Sequence, residues 1–362
     1  MAGPLAGLKI VEMAGLGPGP FAAMMLADHG AEVVRVERAG MIGVPNDPLL
    51  RSRRSVSLDL KKEEAIEVVG RLAERSDGLI EGYRPGVMER LGLGPNQLLQ
   101  ANPKLVYGRV TGWGQDGPLS SAAGHDINYL AITGLLHGIG PKERPVVPVN
   151  YLADYAGGGM ALAFAMVAAL LAVHRGGAGQ VIDAAMCDGA ALIGALTYGL
   201  RAGGAWRDER ESNLLDGGDT AYGIYRCRDG KFIALGAIEA QFREALFKGL
   251  ALRAAASREE VAGVIASRSR DEWVAHFAGT DACVAPVLGL GEAPIHPHNI
   301  ARRTFLDLDG VFQPAPAPRY SKTALDRPDP PRREGQDGED ILAELGYSAD
   351  DISAMRSDGV LP

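Results

Sequence analysis

The first 200 residues read as apolar runs separated by short loops. LAGLKIVEMA (5–14) leads into the loop GLGPGP (15–20). The apolar stretch FAAMMLADHG (21–30) follows, with Gly30 as a helix stop, and then the valine-rich AEVVRVE (31–37). That order of strand, loop, helix and strand predicts a βαβ unit. LKKEEAIEVVGRLAERSD (60–77) has helical spacing, with Ala65, Val68, Val69 and Leu72 on one face. GLIEGY (78–83) and PKLVYGRVTGWG (103–114) read as further strands, and GQVIDAAMCDGAALIGALTYGL (179–200) as a strand running into a helix. Alternating strands and helices predict an α/β fold, Rossmann-like, with a parallel sheet.

Beyond residue 200 the texture changes. RAGGAWRDERESNLLDGGDT is polar and glycine-rich, and GIYRCRDGKFIALGAIEAQF (223–242) predicts a hairpin turned at Asp229-Gly230 that leads into a helix. Residues 250–290 read as helical, ending in a short strand, and a proline- and charge-rich tail (314–340) precedes a last short helix near 339–346. The expected organisation is a large α/β domain over 1–200 and 325–362, a linker over 201–222, a smaller α+β domain over 223–312, and a return linker over 313–324.

Composition narrows the function. A chain of 362 residues suits two domains, and a net charge of −8 excludes a general nucleic-acid binder. Cys187, Cys227 and Cys283 are odd in number and contain no CxxC, so neither a disulfide framework nor a structural zinc site is expected, and a reducing cytoplasmic setting is the default. Lys9 and Glu12 interrupt the apolar N-terminus, which therefore reads as a strand and not as a signal peptide. Residues 155–173 carry no charge and are just long enough to cross a bilayer. Their glycine-rich start, alanine content and lack of a partner span favour a buried helix of a soluble protein.

Several segments carry candidate chemistry. GLGPGP lacks the GxGxxG spacing, and Pro18 and Pro20 remove backbone donors that a pyrophosphate would use, so a tight strand-to-helix loop is expected in place of a dinucleotide site. The window 35–62 holds Arg35, Arg38, Arg51, Arg53, Arg54, Lys61 and Lys62 against three acids, with Arg84 and Arg90 just downstream. Guanidinium groups suit phosphate oxygens, whereas a plain solvated surface has the same composition. His125 lies in a loop between Gly124 and Asp126. Asp154 stands before the uncharged helix, where it would serve as an ordinary N-cap or, with the following glycines, help hold a developing oxyanion. Glu239 is the one charge in an apolar strand-to-helix junction.

Taken together, PLAGLKIVEMAGLGPGPFAAMMLADHGAEVVRVER, RSRRSVSLDLK, IEGYRPGVMERLGLG, YGRVTGWGQDGPLSSAAGHDINYLAITG, NYLADYAGGGM, GQVIDAAMCDG and LGAIEAQF, in that order, resemble the family III CoA-transferase superfamily and, within it, the α-methylacyl-CoA racemases. A weaker match continues through TDACVAPVLGLGEA. The resemblance implies an interlocked homodimer that binds an acyl-CoA substrate and needs no metal or other cofactor. It implies that Arg38 and Arg90 meet CoA phosphates, and that Leu58, Asp59, Leu60, Lys61, Gly82, Tyr83 and Arg84 line the adenine and ribose. Gly124, Asp126 and Tyr129 would hold the pantetheine and thioester. His125 and Asp154 would be the two acid/base groups, with Glu239 contacting His125. The expected reaction is interconversion of (2R)- and (2S)-2-methylacyl-CoA through an enolate; the alternative is CoA transfer with Asp154 as nucleophile. Met13, Met24, Met25, Met160 and Met166 are candidates for a tolerant acyl pocket.

Overall fold

The structure is a computed structural model that describes residues 2–40 and 47–361. The chain forms two compact units, one of residues 1–133, 149–193 and 303–362, the other of residues 134–148 and 194–302.

The first unit is built on strands β1 (Lys9–Met13), β2 (Glu32–Glu37), β3 (Arg54–Ser57), β4 (Gly78–Glu81), β5 (Val106–Thr111) and β6 (Gln180–Ala185). All pair in parallel, in the order β3-β2-β1-β4-β5-β6. Helix α1 (Pro18–Asp28) starts on Pro18, whose fixed φ suits a first helical turn, and ends before Gly30, at φ +100°. Helix α2 (Glu63–Glu74) buries the predicted stripe of Ala65, Val68, Val69 and Leu72. The short helices α3 (Val87–Arg90), α4 (Pro95–Ala101) and α5 (Asp126–Ala131) follow.

A wide, π-type helical stretch, Tyr151–Met160, then runs without a break into α6 (Ala161–His174). Gly78 and Gly108 let α6 lie close to β4 and β5: a Cβ at Gly78 would meet Met166 at 2.8 Å, and one at Gly108 would meet the same side chain at 2.7 Å. The expected buried helix is thus buried on one face only. Leu162, Met166 and Leu170 pack inward, while Phe164 is 77% and Leu171 46% exposed. Among the described residues this is the one helix long and apolar enough to cross a membrane. Helix α7 (Met186–Ile193) closes this part of the unit.

The second unit contains α8 (Ala195–Ala202), the hairpin β7 (Tyr222–Arg226) and β8 (Phe232–Gly236), helices α9 (Ala240–Gly249), α10 (Arg258–Ile265) and α11 (Arg270–Phe277), strand β9 (Val284–Pro286) and α12 (Pro297–Arg302). Gly230, at φ +79°, turns the hairpin where Asp229-Gly230 predicted it. One face of this antiparallel sheet buries Tyr225, Ile233 and Leu235 with Phe247 and Trp273; Ile224 and Phe232, on the other face, are exposed.

Three expected boundaries move. Residues 134–148 join the second unit, whose longer segment starts at 194, not at 223. The supposed linker 201–222 is packed: Arg210 donates to the carbonyls of His137, Pro141 and Lys142, at 2.8, 2.8 and 2.9 Å. The hairpin of β10 (Phe305–Leu308) and β11 (Val311–Pro314), expected to straddle the small domain and the return linker, belongs to the first unit. Arg51 ties it there, donating to Gln313 at 2.9 Å and to the Pro314 carbonyl at 2.7 Å. The C-terminal helix also proves to be two, α13 (Gly338–Leu345) and α14 (Ala349–Ser357), whose Ile341, Leu342, Leu345, Ile352 and Met355 complete the core of the first unit.

Candidate active site

In a parallel sheet whose strand order reverses, the loops leaving adjacent strands diverge and open a crevice at their carboxyl ends. Here the reversal falls between β1 and β4. A cleft of about 250 Å³ lies there, between the Gly15–Pro20 loop after β1, the turn after β4 and the residues that follow β5. It gathers six of the expected site residues: Gly82, Tyr83, Arg84, Gly124, His125 and Tyr129. Of the methionines proposed for an acyl pocket, only Met13 reaches it, joined by Met186; Met166 is fully buried.

His125 stands exposed at the start of α5, and its backbone N–H donates to Asn128 Oδ1 at 3.1 Å. The turn before it is set by Tyr129, whose ring is edge-on to Trp113 at 4.8 Å and whose hydroxyl donates to the Gly124 carbonyl. Only glycine fits at 112, where a Cβ would lie 2.1 Å from the Tyr129 ring.

Asp126 does not line the cleft. It is buried, and its Oδ2 accepts the backbone N–H groups of Ala153 and Asp154, both at 2.8 Å. It therefore caps the 151–160 helical stretch from outside, using the donors a helix start leaves free. This corrects two expectations: Asp154 is not the cap, and the glycines after it are not an oxyanion site. Gly157, Gly158 and Gly159 are buried. A Cβ on Gly157 would lie 2.6 Å from Ala190 N, one on Gly158 2.8 Å from Met186, and one on Gly159 2.7 Å from Phe21. The run exists so that α1 and α7 can approach this helix.

Asp154 is half-buried and faces the Gly15–Pro20 loop, its Oδ2 3.6 Å from where a Gly17 Cβ would sit. Asn150, a residue the sequence reading passed over, donates its amide to the same oxygen at 3.2 Å. Burial, with the charge of Asp126 adding, pushes the Asp154 carboxyl above its ordinary range; the Asn150 hydrogen bond and the nearby His125 pull the other way. The Tyr129 hydroxyl is likewise raised, by burial first and then by the field of Asp154, with Arg84 opposing. His125, Asp154, Tyr129 and Arg84 thus share one electrostatic neighbourhood.

The expected CoA-binding residues separate into several environments. Arg38, just past the end of β2, and Arg84 and Arg90, after β4, are exposed. Leu58 is fully buried in the core, so only its main chain is available to a ligand. Leu60 is half-buried against the same core, Lys61 is exposed, and the Asp59 N–H donates to the Val360 carbonyl at 3.1 Å. Glu239 stands exposed at the start of α9 in the second unit.

The reading of residues 35–62 as a basic, phosphate-facing patch is largely overturned. Arg35 pairs with Glu12 at 2.5 Å, Arg53 with Glu12 at 3.0 Å, Arg51 with Asp28 at 2.5 Å, and Arg54 with Glu344 at 2.7 Å. Of the window's seven cations, Arg38, Lys61 and Lys62 remain exposed.

Three comparisons bear on this site. The family model for CoA-transferase family III matches residues 5–338. The chain is 43% identical to the alpha-methylacyl-CoA racemases of Mus musculus and Homo sapiens, in each case over 99% of this chain and 97% of the relative. The crystal structure of a CAIB/BAIF family protein from Brucella suis superposes with a TM-score of 0.81 at 26% identity, covering 95% of this chain and all of that one.

Proposed function

We propose that this chain, which belongs to CoA-transferase family III, is an isomerase that interconverts (2R)- and (2S)-2-methylacyl-CoA thioesters. Full-length identity of 43% to two alpha-methylacyl-CoA racemases supports that reaction over CoA transfer.

Inverting a carbon beside a thioester requires a base on one face and an acid on the other, each contributing about 10²–10⁴-fold. The observation that carries the reading is that a loop histidine and a carboxyl held above its ordinary pKa share one neighbourhood beside the switch-point cleft. A raised pKa means that Asp154 keeps its proton to higher pH than an ordinary aspartate. With His125 neutral and Asp154 protonated, His125 takes the α-proton and Asp154 returns one on the far face. With that proton moved across, the roles exchange, so one proton count serves both directions. No electron changes hands, and we assign no cofactor beyond the coenzyme A of the substrate.

CoA lies along the cleft, with Arg38 and Arg90 taking phosphate oxygens and the 58–61 and 82–84 turns beside the adenine and ribose; Arg84, which lines the cleft, is also free to meet a phosphate there. Glu239 is assigned to orienting His125 and would come from the second copy of a homodimer. The exposed apolar faces of α6 (Phe164, Leu171) and of the small sheet (Ile224, Phe232) suit that second copy.

Proton NMR in deuterated water, run on each pure enantiomer, tests the scheme. His125→Ala and Asp154→Asn should both stop racemisation, yet each should still exchange the α-proton of one enantiomer, opposite in the two variants. Interconversion at near wild-type rate in either variant would overturn the two-base assignment. An acyl group trapped on Asp154 during turnover would establish transfer through a mixed anhydride instead.

A further inference from the structure

The arginines proposed for the CoA phosphates sit on loops beyond strand ends or, for Arg90, at the end of the short helix α3, where a long side chain has many conformers to lose on binding. Something has to fix these segments relative to one another. Where β4 and β5 give way to α3 lies a charge cluster that the chemistry does not use. Arg109, on β5, is only 6% exposed. Its Nε donates to Glu81 Oε1 at 2.8 Å, and its Nη1 and Nη2 donate to the two oxygens of Glu89 at 2.8 and 3.3 Å.

Each carboxylate leads to a different wall. Glu81 ends β4, and its second oxygen accepts the Tyr83 N–H at 2.7 Å, which fixes the Gly82–Arg84 turn. Glu89 belongs to α3 and immediately precedes Arg90. The Arg90 side chain folds back over Gly86, Nη1 lying 3.3 Å from where a Cβ would be. Glu89 is gripped from its other side by Gly94, whose missing Cβ would sit 2.9 Å from Glu89 Cγ.

Burying two charges, Glu81 and Arg109, is poor economy for stability alone, since well-packed apolar residues commonly do as well. What the cluster supplies is geometry: a planar guanidinium addresses two carboxylates in fixed directions. We infer that Arg109 is a positioning residue for coenzyme A, a strut that holds the Gly82–Arg84 turn and helix α3, which ends in Arg90, at one spacing. This rests on the proposal that the CoA phosphates lie against Arg84 and Arg90.

Arg109→Met would strand Glu81 in the sheet and endanger folding, so the deciding variant is Glu89→Gln, on a side chain that is 42% exposed. The measurements are calorimetric titration with free CoA and the rate of α-proton exchange at saturating substrate. Coulomb's law alone predicts tighter CoA binding once a negative charge beside the phosphates is gone. A strut predicts the opposite sign: affinity about 3- to 10-fold weaker, with the saturated rate within about twofold of wild type, because hydrogen bonds to an amide are weaker and less directed than those to a carboxylate. Arg109→Lys, which keeps the charge but not the fork, should weaken CoA binding about 10-fold. In an Arg90→Ala background, Glu89→Gln should add less than about twofold, since two residues acting through one contact do not add. Unchanged or tighter CoA binding by Glu89→Gln, alongside weaker binding by Arg90→Ala, overturns the strut and leaves the CoA placement standing. No effect of Arg84→Ala or Arg90→Ala overturns the placement, and the strut with it.

Discussion

Arg35 and Arg38 are three residues apart and carry the same charge, yet they meet different fates. Arg35 lies within β2 and is held between Glu12 and Glu37, at 2.5 and 3.2 Å; Arg38 lies one residue past the strand and is exposed. The contrast recurs on both sides of the switch point. Arg51 and Arg53, which enter β3 from its amino end, are buried, each against an acid, whereas Arg84, on the turn beyond β4, and Arg90, at the end of α3, are exposed. A side chain packed inside the unit, in a strand or at its amino end, has no water to reach and must be neutralised where it stands. One beyond the carboxyl end of a strand reaches water and keeps its charge free, as Arg38 and Arg84 do. The charge count of a segment therefore says little about its ligand; position relative to the strand end says much.

The largest break in this contrast should come from Arg53→Met. It leaves Glu12, which is fully buried, with Arg35 alone and should cost about 3–5 kcal/mol of stability. Urea unfolding measures it, and a loss below about 1 kcal/mol would mean that the pair is not structural. CoA affinity of the folded fraction should not change.

Arg38→Ala should do the reverse. We expect about 1.5–3 kcal/mol lost from CoA binding, the scale of a hydrogen bond to a charged group, and less than about 0.5 kcal/mol lost from stability. Equal CoA dissociation constants for variant and wild type would remove Arg38 from the site. Lys62→Ala, changed in the same segment, should leave both quantities alone.

The smallest effect sharpens the comparison at an acid. Asp154 is half-buried where Arg53 is fully buried, and its bonded partner is an amide and not an ion. Burial raises its pKa, so the folded state binds this proton more tightly than the unfolded chain does. Stability then falls as pH rises from the ordinary carboxylate range through the raised value. Asp154→Asn, neutral throughout, should match the wild type in acid and become the more stable protein above that window. Denaturant midpoints at several pH values decide it, and a stability gap that does not vary with pH would mean that Asp154 titrates like a free aspartate.

Much of the fold was legible because local rules and the fold agree. The βαβ start, the apolar face of α2 and the Asp229-Gly230 turn depend on periodicity and turn chemistry within about 20 residues of chain. The misplaced elements depend on distant partners. The residues of the β10–β11 hairpin fall across the expected small domain and return linker because their hold is Arg51, 262 residues away from Gln313. The buried ion pairs did leave a trace. Several central strands carry a charge inside an apolar run, Glu12 in β1, Arg35 in β2, Glu81 in β4 and Arg109 in β5, and such a residue needs an opposite partner once the sheet forms. Asn150 left none: an asparagine four residues before an aspartate becomes informative only when the backbone winds into a helical turn.

The sequence by itself determined the α/β class, the parallel order, the family and the motifs that carry His125 and Asp154, because those are written in local pattern and in the identity of short segments. Only the tertiary structure decided what the residues around them do. It gave the free N–H groups of the 151–160 helix to Asp126, turned the glycines after Asp154 into a packing surface, and buried Arg35, Arg51 and Arg53 while leaving Arg38, Arg84 and Arg90 exposed. Those outcomes turn on which groups, remote in sequence, share a buried space, and burial is a property of the assembled chain.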